Sequence, residues 1–562
     1  MPPLTKLSGG DVLVRSLLSQ GASCAFTLCG NHLLSTYEAA IGTPLRLIDV
    51  RHEAAAAHMA DAWARVTGTP GVCLVTGGPG HTNAITGIAT AWGADSPVIW
   101  ISGGSEAEFA GQGAMQEIDQ VALARPITKW SAAASHIREI PRLVASAYRV
   151  AQTGRPGPVH LTLPVDIMDS TIDESEVSFP PAIDWKAATR VAPNPDLVDL
   201  ALGLLASARR PVVVAAAGAW WSGAGPALHA LADTTGLPIF TIDTARGLIS
   251  DDHPCCFGYA DPLLNPAATL FAQADVALVL GRRLDYRLRF GNVFPRECKL
   301  IQADSEPADI GSSRPADLAL AGSPAAALEL MVARAANYRW ETAQWRSALA
   351  QARAEGAEQR RPLETTDSEP LHPLRIVRAV RDVMPDDCCL TFDAGDFIQW
   401  ARQGLPARRP GRWLRLGPMA TLGCAIPFAI GAKLARPEST VIALTGDGGV
   451  GFYGFELDTA VRHGVPFVLV VANDAAWGME KNLQIGIYGR DRVTAAELLP
   501  TRYDEVARAL GAWGEHVDHA ADLEPALRRA ISSGRPAVVD VTAECAPSST
   551  TDASVRRKLA RR

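Results

Sequence analysis

The chain has 562 residues, a length typical of roughly three to four domains. Apolar residues make up 48% of the chain and charged residues 20%, which excludes a disordered chain and a fibrous repeat. Because 60 acidic residues outnumber 53 basic ones, the net charge of −7 argues against a nucleic-acid binder. The ten cysteines form no C-x-x-C pair, and no apolar run reaches the ~18–20 residues that span a bilayer. We therefore expect a cytoplasmic globular protein with reduced thiols and no nucleic-acid or membrane partner.

Strand-like apolar runs alternate with helix-like stretches along most of the chain, which is typical of parallel sheets covered by helices on both faces. This pattern divides the chain into three blocks. The first and last blocks are similar in length and in the alternation of strands and helices, which indicates a duplicated unit. The sequence thus predicts an α/β protein with three domains of this kind. Their expected bounds are 1–185, 190–336 and 371–545, with a linker at 337–370 and a basic tail at 546–562 that is a candidate lid.

The clearest local motif is a glycine-rich turn, Gly446-Asp447-Gly448-Gly449-Val450-Gly451, which follows the apolar run 441–445. Glycines in such a turn let backbone N–H groups approach a phosphate at a helix N-terminus. Asp474 follows the next apolar run, and adjacent parallel strands would bring it to the same sheet edge as Asp447. Mg²⁺ prefers oxygen ligands and commonly bridges carboxylates to phosphates. The motif therefore predicts a magnesium–diphosphate site.

Two other interpretations of this turn remain open. Gly446, Gly448 and Gly451 also satisfy G-x-G-x-x-G, the fingerprint of dinucleotide-binding domains, with Asp474 in the place of a ribose-binding acid. A carboxylate at Asp447 would repel a bare pyrophosphate, which disfavours a nicotinamide-dependent dehydrogenase. The third interpretation is a glycine turn with a structural role only.

The pattern Gly446-Asp447-Gly448, 24 intervening residues and then Asn473-Asp474 resembles the metal motif of thiamine-diphosphate enzymes. The family has asparagine where this chain has Asp474, so the chain carries one extra negative charge there. The resemblance implies thiamine diphosphate and Mg²⁺ as cofactors, with Asp447, Asp474 and the Ala476 carbonyl as metal ligands. The other residues that it implies on the diphosphate side are Gly395, Asp396, Gly446, Gly448, Gly449, Trp477, Gly478 and Met479.

A second match lies in the first block, where Arg51-His52-Glu53 resembles the family segment whose glutamate contacts N1′ of the aminopyrimidine. The resemblance implies that Glu53 protonates N1′ and so favours the imino form that removes the thiazolium C2 proton. The alternative is an acid that stabilises a helix N-terminus through the dipole. The same resemblance implies cofactor contacts from four further residues, which are Pro79, Asn83, Ala420 and Leu422.

The resemblance covers nearly the whole chain and indicates the acetolactate synthase-like branch, with pyrimidine, central and diphosphate domains in that order. In this branch Glu53 of one chain faces Asp447 of another. The resemblance therefore implies a homodimer as the minimal active unit and a homotetramer as the assembly.

Three residues bear on the reaction. Gly30-Asn31-His32 resembles benzaldehyde lyases, which implies that His32 relays a proton to a substrate hydroxyl; the alternative is a loop histidine that caps a helix. Gln116 matches the glutamine that faces the thiazolium in lyases and acetolactate synthases. Glu480 matches a catalytic glutamate of pyruvate decarboxylases, although benzaldehyde lyases lack an acid there.

The central block contains a segment, 281–291, that resembles 2-hydroxyacyl-CoA lyases and carries four arginines. These arginines either meet a CoA phosphate or lie on a solvated loop.

Together the motifs predict a thiamine-diphosphate-dependent C–C lyase or carboligase that acts on a 2-hydroxyacyl-CoA or a 2-hydroxy ketone through a thiazolium C2 adduct. The alternative is an acetolactate synthase or a 2-oxo acid decarboxylase. A non-catalytic homologue is disfavoured because Glu53 and Asp447 are both present. The acyl group, the direction of the reaction in the cell and flavin binding are left open.

Overall fold

A computed structural model of the protein describes residues 6–561. Met1–Thr5 and Arg562, which belong to the first predicted domain and the predicted basic tail, lie outside the described residues. The strands are β1 Lys6–Ser8, β2 Cys24–Thr27, β3 Arg46–Asp49, β4 Gly71–Val75, β5 Val98–Gly104, β6 Ser131–Ala133, β7 Val159–Pro164, β8 Thr171–Asp173, β9 Pro211–Ala215, β10 Ile239–Thr241, β11 Cys256–Tyr259, β12 Val276–Leu280, β13 Lys299–Asp304, β14 Leu318–Ala321, β15 Cys389–Phe392, β16 Trp413–Arg415, β17 Val441–Gly446, β18 Val468–Asn473, β19 Trp513–Val517 and β20 Ala537–Thr542.

Helices connect almost all of these strands. They are α1 Gly9–Ser19, α2 Leu34–Ala40, α3 Glu53–Thr67, α4 Pro79–Gly93, α5 Gln120–Ala124, α6 Ile140–Gln152, α7 Val165–Asp169, α8 Trp185–Ala188, α9 Pro195–Ser207, α10 Ala217–Trp221, α11 Gly225–Thr235, α12 Pro266–Thr269, α13 Pro324–Ala335, α14 Ala343–Glu364, α15 Pro373–Val383, α16 Asp396–Gly404, α17 Ala425–Ala435, α18 Asp447–Tyr453, α19 Glu456–His463, α20 Gly478–Tyr488, α21 Tyr503–Ala509, α22 Ala520–Ser532 and α23 Ser549–Leu559. No helix within residues 6–561 is both long and apolar enough to cross a bilayer.

The strands form three six-stranded parallel sheets, and β1 pairs with β8 in a separate antiparallel ribbon. Central strands such as β4 and β5 are buried along their whole length, as the continuous apolar runs in the sequence predict. The predicted fold class, an α/β protein built from three parallel sheets, is confirmed.

The first and third sheets share one strand order. The first runs β3-β2-β4-β5-β7-β6 and the third runs β16-β15-β17-β18-β20-β19, so both read 2-1-3-4-6-5 when numbered within the sheet. The middle sheet runs β11-β10-β9-β12-β13-β14, which is the 3-2-1-4-5-6 order of doubly wound nucleotide-binding folds. The shared order agrees with the duplicated unit that the sequence indicates.

The chain divides into two compact units that do not follow linear domain borders. The first unit holds the first sheet up to Thr189, together with Leu416–Pro437 and Tyr453–Val465. The second unit holds Arg190–Arg415, Glu438–Phe452 and the residues from Pro466 onwards, and it contains the middle and third sheets. The segment expected as the third domain, 371–545, therefore contributes two pieces to the first unit.

Helix α3 explains why one of these pieces belongs to the first unit. Seven of its thirteen buried residues are alanines, so α17 can approach closely. A Cβ at Gly431 of α17 would lie 2.6 Å from the Met59 carbonyl oxygen of α3, which makes glycine necessary there. This packing anchors the loop 416–424, which carries two of the predicted cofactor residues.

Candidate active site

In open parallel sheets, ligands bind at the carboxyl ends of the strands where the strand order reverses. This switch point lies between β2 and β4 in the first sheet and between β15 and β17 in the third. The predicted site residues fall into two sets, one around each of these switch points.

In the first unit, Glu53 is the first residue of α3 and only 7% of its surface is exposed. Its Oε2 accepts a hydrogen bond of 3.0 Å from Nδ2 of Asn83 on α4. The sequence predicts a role for both residues but gives no reason to expect that they touch. The bond fixes one carboxylate oxygen of Glu53 and leaves Oε1 as the atom with bonding capacity for a ligand.

Glu456 on α19 fixes the backbone in front of Glu53. Its Oε1 accepts hydrogen bonds from the backbone N–H groups of Arg51 and His52, at 3.0 and 3.1 Å. Thr459 donates to the other carboxylate oxygen at 2.7 Å. Burial raises the pKa of Glu456 to about 7. Sequence reasoning missed this residue, because nothing local to it signals a partner some 400 positions away.

His32 lies beside the switch point and is buried. Its Nδ1 lies 2.9 Å from Oγ1 of Thr76 and accepts from the Gly77 N–H at 3.2 Å. A backbone N–H only donates, so the proton of the neutral ring sits on Nε2. Burial lowers the pKa of His32, which favours that neutral form. The contact with Gly77 resembles the capping alternative, yet it leaves Nε2–H as a donor for a ligand.

Gln120, the first residue of α5, joins the loop after β4 to the end of β5 and was also missed from sequence. Its Oε1 accepts from the Gly78 N–H at 3.0 Å, and its Nε2 donates to the Gly103 carbonyl at 3.0 Å. Gln116, the predicted catalytic glutamine, lies in the loop that precedes α5 and has a φ of +62°. A Cβ at Gly78 would lie 2.7 Å from the Gln116 Cβ, so the two loops meet in direct contact. A left-handed non-glycine residue is a costly conformation that is often kept for function.

The loop 416–424 carries Ala420 and Leu422, the other two cofactor residues predicted in this unit. Ala420 has a φ of +54° and is exposed, and Leu422 is half-buried. The exposed, strained backbone at Ala420 agrees with a carbonyl held for a ligand. Pro79, by contrast, is the exposed first residue of α4 and has the ordinary helix-starting role of proline.

In the second unit, β17 and β18 are adjacent and parallel, with Gly446 opposite Ala472. Asp447 and Asp474 follow these strands and converge at the sheet edge, as the sequence predicts. Burial and then the Asp474 charge raise the pKa of Asp447 to about 7, and burial raises the pKa of Asp474 as well. Two converging carboxylates, of which Asp447 is buried and Asp474 half-buried, repel each other, and a divalent cation between them would remove that repulsion. The residues present therefore fit a magnesium ion.

Close packing requires glycine at two positions of the turn but not at Gly451. A Cβ at Gly448 would lie 2.6 Å from the Trp477 ring, and one at Gly449 would lie 2.3 Å from Oγ1 of Thr445. A Cβ at Gly451 would meet nothing within 4 Å. The motif also follows the third strand of a 2-1-3-4-6-5 sheet, whereas the dinucleotide fingerprint follows the first strand of a Rossmann sheet. The third glycine of the dinucleotide fingerprint allows close packing of helix and strand, and Gly451 shows no such packing. Both the packing and the strand order therefore weigh against the dinucleotide interpretation.

The turn after β18 wraps around Asp447. The Ala476 N–H donates to Oδ2 of Asp447 at 3.1 Å, and Ala475 has a φ of +50°. A Cβ at Gly478 would lie 2.2 Å from Oδ2 of Asp474, so only glycine leaves room for that carboxylate. These contacts place Ala476, Trp477 and Gly478 at the predicted site. That the Ala476 carbonyl is a metal ligand stays a prediction.

A buried polar cluster supports this turn from beneath. Asn473 donates from Nδ2 to the Thr501 carbonyl at 2.8 Å and to Oδ1 of Asp540 at 3.1 Å. Asp540 is fully buried and lies 3.0 Å from Nδ1 of His516. The motif alone does not predict these positioning contacts of Asn473.

Asp396, which the resemblance assigns to the cofactor, has its carboxylate engaged elsewhere. Its Oδ1 accepts from the Ser548 N–H at 3.0 Å and from Thr551 at 2.6 Å, and its Oδ2 accepts from Asn482 at 3.0 Å. Gly395, which precedes it, has a φ of +89° with no atom within 4 Å of a built Cβ. The side chain of Asp396 thus holds the start of α23, the helix formed by most of the predicted basic tail. Its role toward a cofactor stays a prediction.

Helix α20 begins at this site with Gly478, Met479 and Glu480, and Glu480 is exposed. Cys545 lies alongside, with its thiol in contact with Asp474 and 3.9 Å from the Gly478 carbonyl. Burial, reinforced by Asp474, raises the pKa of Cys545 to about 12, so the thiol stays protonated. The sequence alone does not distinguish Cys545 from the other cysteines, most of which are buried core thiols.

Three of the four arginines in segment 281–291 pair with carboxylates, and two of these three, Arg282 and Arg287, are largely shielded from solvent. Arg282 and Arg287 approach Asp243 at 3.1 and 3.2 Å, and Arg283 donates to Asp309 at 2.8 Å. Burial alone would raise the pKa of Asp243, but Arg287 and Arg282 together hold it below its ordinary value. Only Arg289 of the four is exposed without such a carboxylate in the described part of the chain. This weakens the expectation that the segment meets a CoA phosphate.

Family models of known proteins match three stretches of the chain. Residues 7–123 match the thiamine pyrophosphate enzyme N-terminal TPP binding domain. Residues 198–331 match the central domain of these enzymes, and 393–541 match their C-terminal TPP binding domain.

Full-length relatives carry two kinds of name. The acetolactate synthase large subunit IlvG of Mycobacterium tuberculosis is 37% identical over 540 residues, which cover 96% of both chains. A probable acetolactate synthase large subunit of Methanocaldococcus jannaschii is 31% identical over 95% of this chain and 92% of its own. The 2-hydroxyacyl-CoA lyase 2 of Bos taurus is 32% identical over 95% of this chain and 89% of its own.

The chain is thus a thiamine pyrophosphate-dependent enzyme. It belongs to the acetolactate synthase-like branch of that family, as the resemblance implied.

Proposed function

We propose that this enzyme makes or breaks a C–C bond beside a hydroxyl group, and that its substrate is a 2-hydroxyacyl-CoA or a 2-hydroxy ketone. The observation that carries the proposal is the geometry of His32, whose Nδ1 is occupied by Gly77 and whose Nε2 bears the proton. A neutral donor at a switch point suits proton exchange with a substrate hydroxyl.

Bound thiamine diphosphate would supply the carbon nucleophile for this chemistry. Glu53 would hold a proton at N1′ of the aminopyrimidine, and Asn83 would orient its carboxylate. Asp447, Asp474 and the Ala476 carbonyl would hold Mg²⁺, while Gly446, Gly448 and Gly449 would let backbone N–H groups reach the diphosphate. Gln116 and Glu480 would face the substrate. A homodimer would be the minimal active unit and a homotetramer the assembly, in a cytoplasmic enzyme.

A second candidate, acetolactate synthase, is favoured by the name of the Mycobacterium tuberculosis relative and by its 37% identity. The inward pairing of Arg282 and Arg287 also removes one argument for a CoA substrate. Among lyase substrates this favours a 2-hydroxy ketone.

The test is to incubate the enzyme with Mg²⁺, thiamine diphosphate and a panel of substrates, namely 2-hydroxyacyl-CoAs, acyloins and pyruvate. Aldehyde release from an acyloin or a 2-hydroxyacyl-CoA, lost in His32→Ala, would support the lyase. Acetolactate formed from pyruvate at a rate that His32→Ala leaves unchanged would overturn the lyase and establish the second candidate.

A further inference from the structure

A cavity of about 540 Å³ lies in the second unit, bounded by β11, α12, α14 and α16. None of the residues predicted for the active site lines it. Six arginines do, and they come from separate parts of the chain: Arg246, Arg353, Arg360, Arg381, Arg402 and Arg408. Asp251 and Asp252 are the acidic residues of the lining.

Three of these arginines have close carboxylate partners. Arg246 donates to Oδ1 of Asp251 at 2.7 Å, Arg408 to Asp252 at 2.9 Å and Arg381 to Glu364 at 2.8 Å. Their charges are therefore neutralised at the cavity wall.

The other three arginines are incompletely paired. Arg353 has no ion pair among residues 6–561; it donates to the Cys256 carbonyl at 3.0 Å and lies over the Phe257 ring. Arg360 lies 3.7 Å from Glu364, which already pairs with Arg381. Arg402 lies 3.8 Å from Asp261, beyond hydrogen-bond distance.

Several buried guanidinium nitrogen atoms in the cavity wall have no hydrogen-bond acceptor in the described part of the chain. Arg402 is 4% exposed, and its Nε and Nη2 find no hydrogen-bond acceptor in the described part of the chain. The buried Nε atoms of Arg246 and Arg360 likewise have no acceptor among these residues. A buried guanidinium donor without an acceptor is costly, so an anion in the cavity would relieve several such costs at once. Burial, with a further contribution from Arg381, lowers the pKa of Arg360, as expected in a positive surrounding.

The cavity wall is also held rigidly. Arg353, Gly356 and Arg360 are spaced i, i+3 and i+7, so they lie on one face of α14. A Cβ at Gly356 would lie 2.2 Å from Cγ of Pro266, which means that α14 packs directly against α12. The two arginines are thus presented to the cavity by the helix packing itself.

We infer that this cavity binds a small phosphate-bearing anion through Arg353, Arg360 and Arg402. Guanidinium forks match the oxygens of a phosphate group, and the volume lies within the ~300–1,000 Å³ of small-ligand sites. The site is separate from the predicted cofactor residues. Free phosphate and a phosphate ester share this chemistry, and the experiment distinguishes them.

The test is calorimetric titration of the holoenzyme, saturated with Mg²⁺ and thiamine diphosphate, with inorganic phosphate and separately with glycerol 3-phosphate at constant ionic strength. We expect saturable binding that Arg353→Gln combined with Arg360→Gln weakens by about tenfold or more. Arg361→Gln is the matched control, because Arg361 lies on the same helix, is exposed and pairs with Glu358. It should bind as the parent does.

Tighter binding of glycerol 3-phosphate would favour an ester as the ligand, and tighter binding of inorganic phosphate would favour free phosphate; both support the site. Since the two substituted arginines are not in the core, the double variant should fold, and an unchanged melting temperature would verify this. Absence of saturable binding by either probe would overturn the inference. So would equal weakening in Arg361→Gln, or binding that disappears as the thiamine diphosphate concentration rises.

Discussion

Nδ2 of Asn83 donates a hydrogen bond to Oε2 of Glu53 at 3.0 Å, which joins the starts of two helices in the first unit. One carboxylate oxygen is thereby fixed and the other is left for a ligand. Because the amide nitrogen can only donate, the bond sets the orientation of the Glu53 carboxylate.

Replacing Glu53 by glutamine should leave the fold intact and lower turnover by about 10²–10⁴-fold, the usual range for loss of a general acid or base. Glutamine keeps the size of the side chain but cannot exchange a proton with N1′. Steady-state kinetics with saturating cofactor would measure the effect. Glu38→Gln is the control, because Glu38 is an exposed glutamate of the same unit. A Glu53→Gln enzyme with more than half of the parent activity would refute the role of Glu53.

Glu456 should give the protein a pH-dependent stability. Burial raises the pKa of Glu456 from 4.5 to about 7. Between these two pH values the folded protein keeps the carboxyl proton, whereas the unfolded chain has lost it. The stability that this proton contributes is fully present below pH 4.5 and is lost as the pH rises through about 7. The loss amounts to at most about 3 kcal/mol.

The glutamine of Glu456→Gln is neutral at every pH and does not titrate. The melting temperature of the parent minus that of the variant should therefore fall as the pH rises from 4.5 to 7. Differential scanning calorimetry at several pH values would measure it, with Glu38→Gln again as the control. A difference that stays constant across this window would show that the pKa of Glu456 is not raised.

The glycine turn offers a matched pair of substitutions. Gly448→Ala should destabilise the turn by about 1–3 kcal/mol and weaken cofactor binding, because its Cβ would lie 2.6 Å from the Trp477 ring. Gly451→Ala should be neutral or stabilise α18 by up to about 1 kcal/mol, because a Cβ there meets no atom within 4 Å. Thermal unfolding and cofactor titration of both variants would check this. Equal effects of the two substitutions would contradict the packing described for Trp477.

The sequence predicts the parts of the site that depend on local pattern. Asp447 and Asp474 meet because adjacent parallel strands end at the same edge of the sheet. This can be predicted from the order of apolar runs and glycine-rich turns along the sequence. Glu456, Gln120 and Asp540 carry no such signal, since each acts on backbone or side-chain groups that are distant in the sequence. Arg282 and Arg287 also show that local sequence does not reveal partners that are distant in the chain. Their spacing indicates a basic loop, whereas Asp243, some 40 residues away, draws them inwards.

Asp447 and Asp474 are expected to hold the metal that binds the diphosphate, and the proposed chemistry depends on this ion. Trp477 lies against the glycine turn, so we expect its fluorescence to change when the cofactor binds. Titration with thiamine diphosphate in the presence of Mg²⁺ should saturate for the parent and lose its signal in the presence of a chelator. Asp474→Asn keeps a side-chain oxygen and removes one of two mutually repelling charges, so its affinity should equal or exceed that of the parent.

Asp447→Ala removes a ligand that Mg²⁺ needs for its octahedral shell, and it should abolish saturable binding while the fold persists. Equal loss of affinity in Asp474→Asn would mean that the charge of Asp474 is required. Unchanged affinity in Asp447→Ala would contradict the metal site and, with it, the assignment of the glycine turn to the diphosphate.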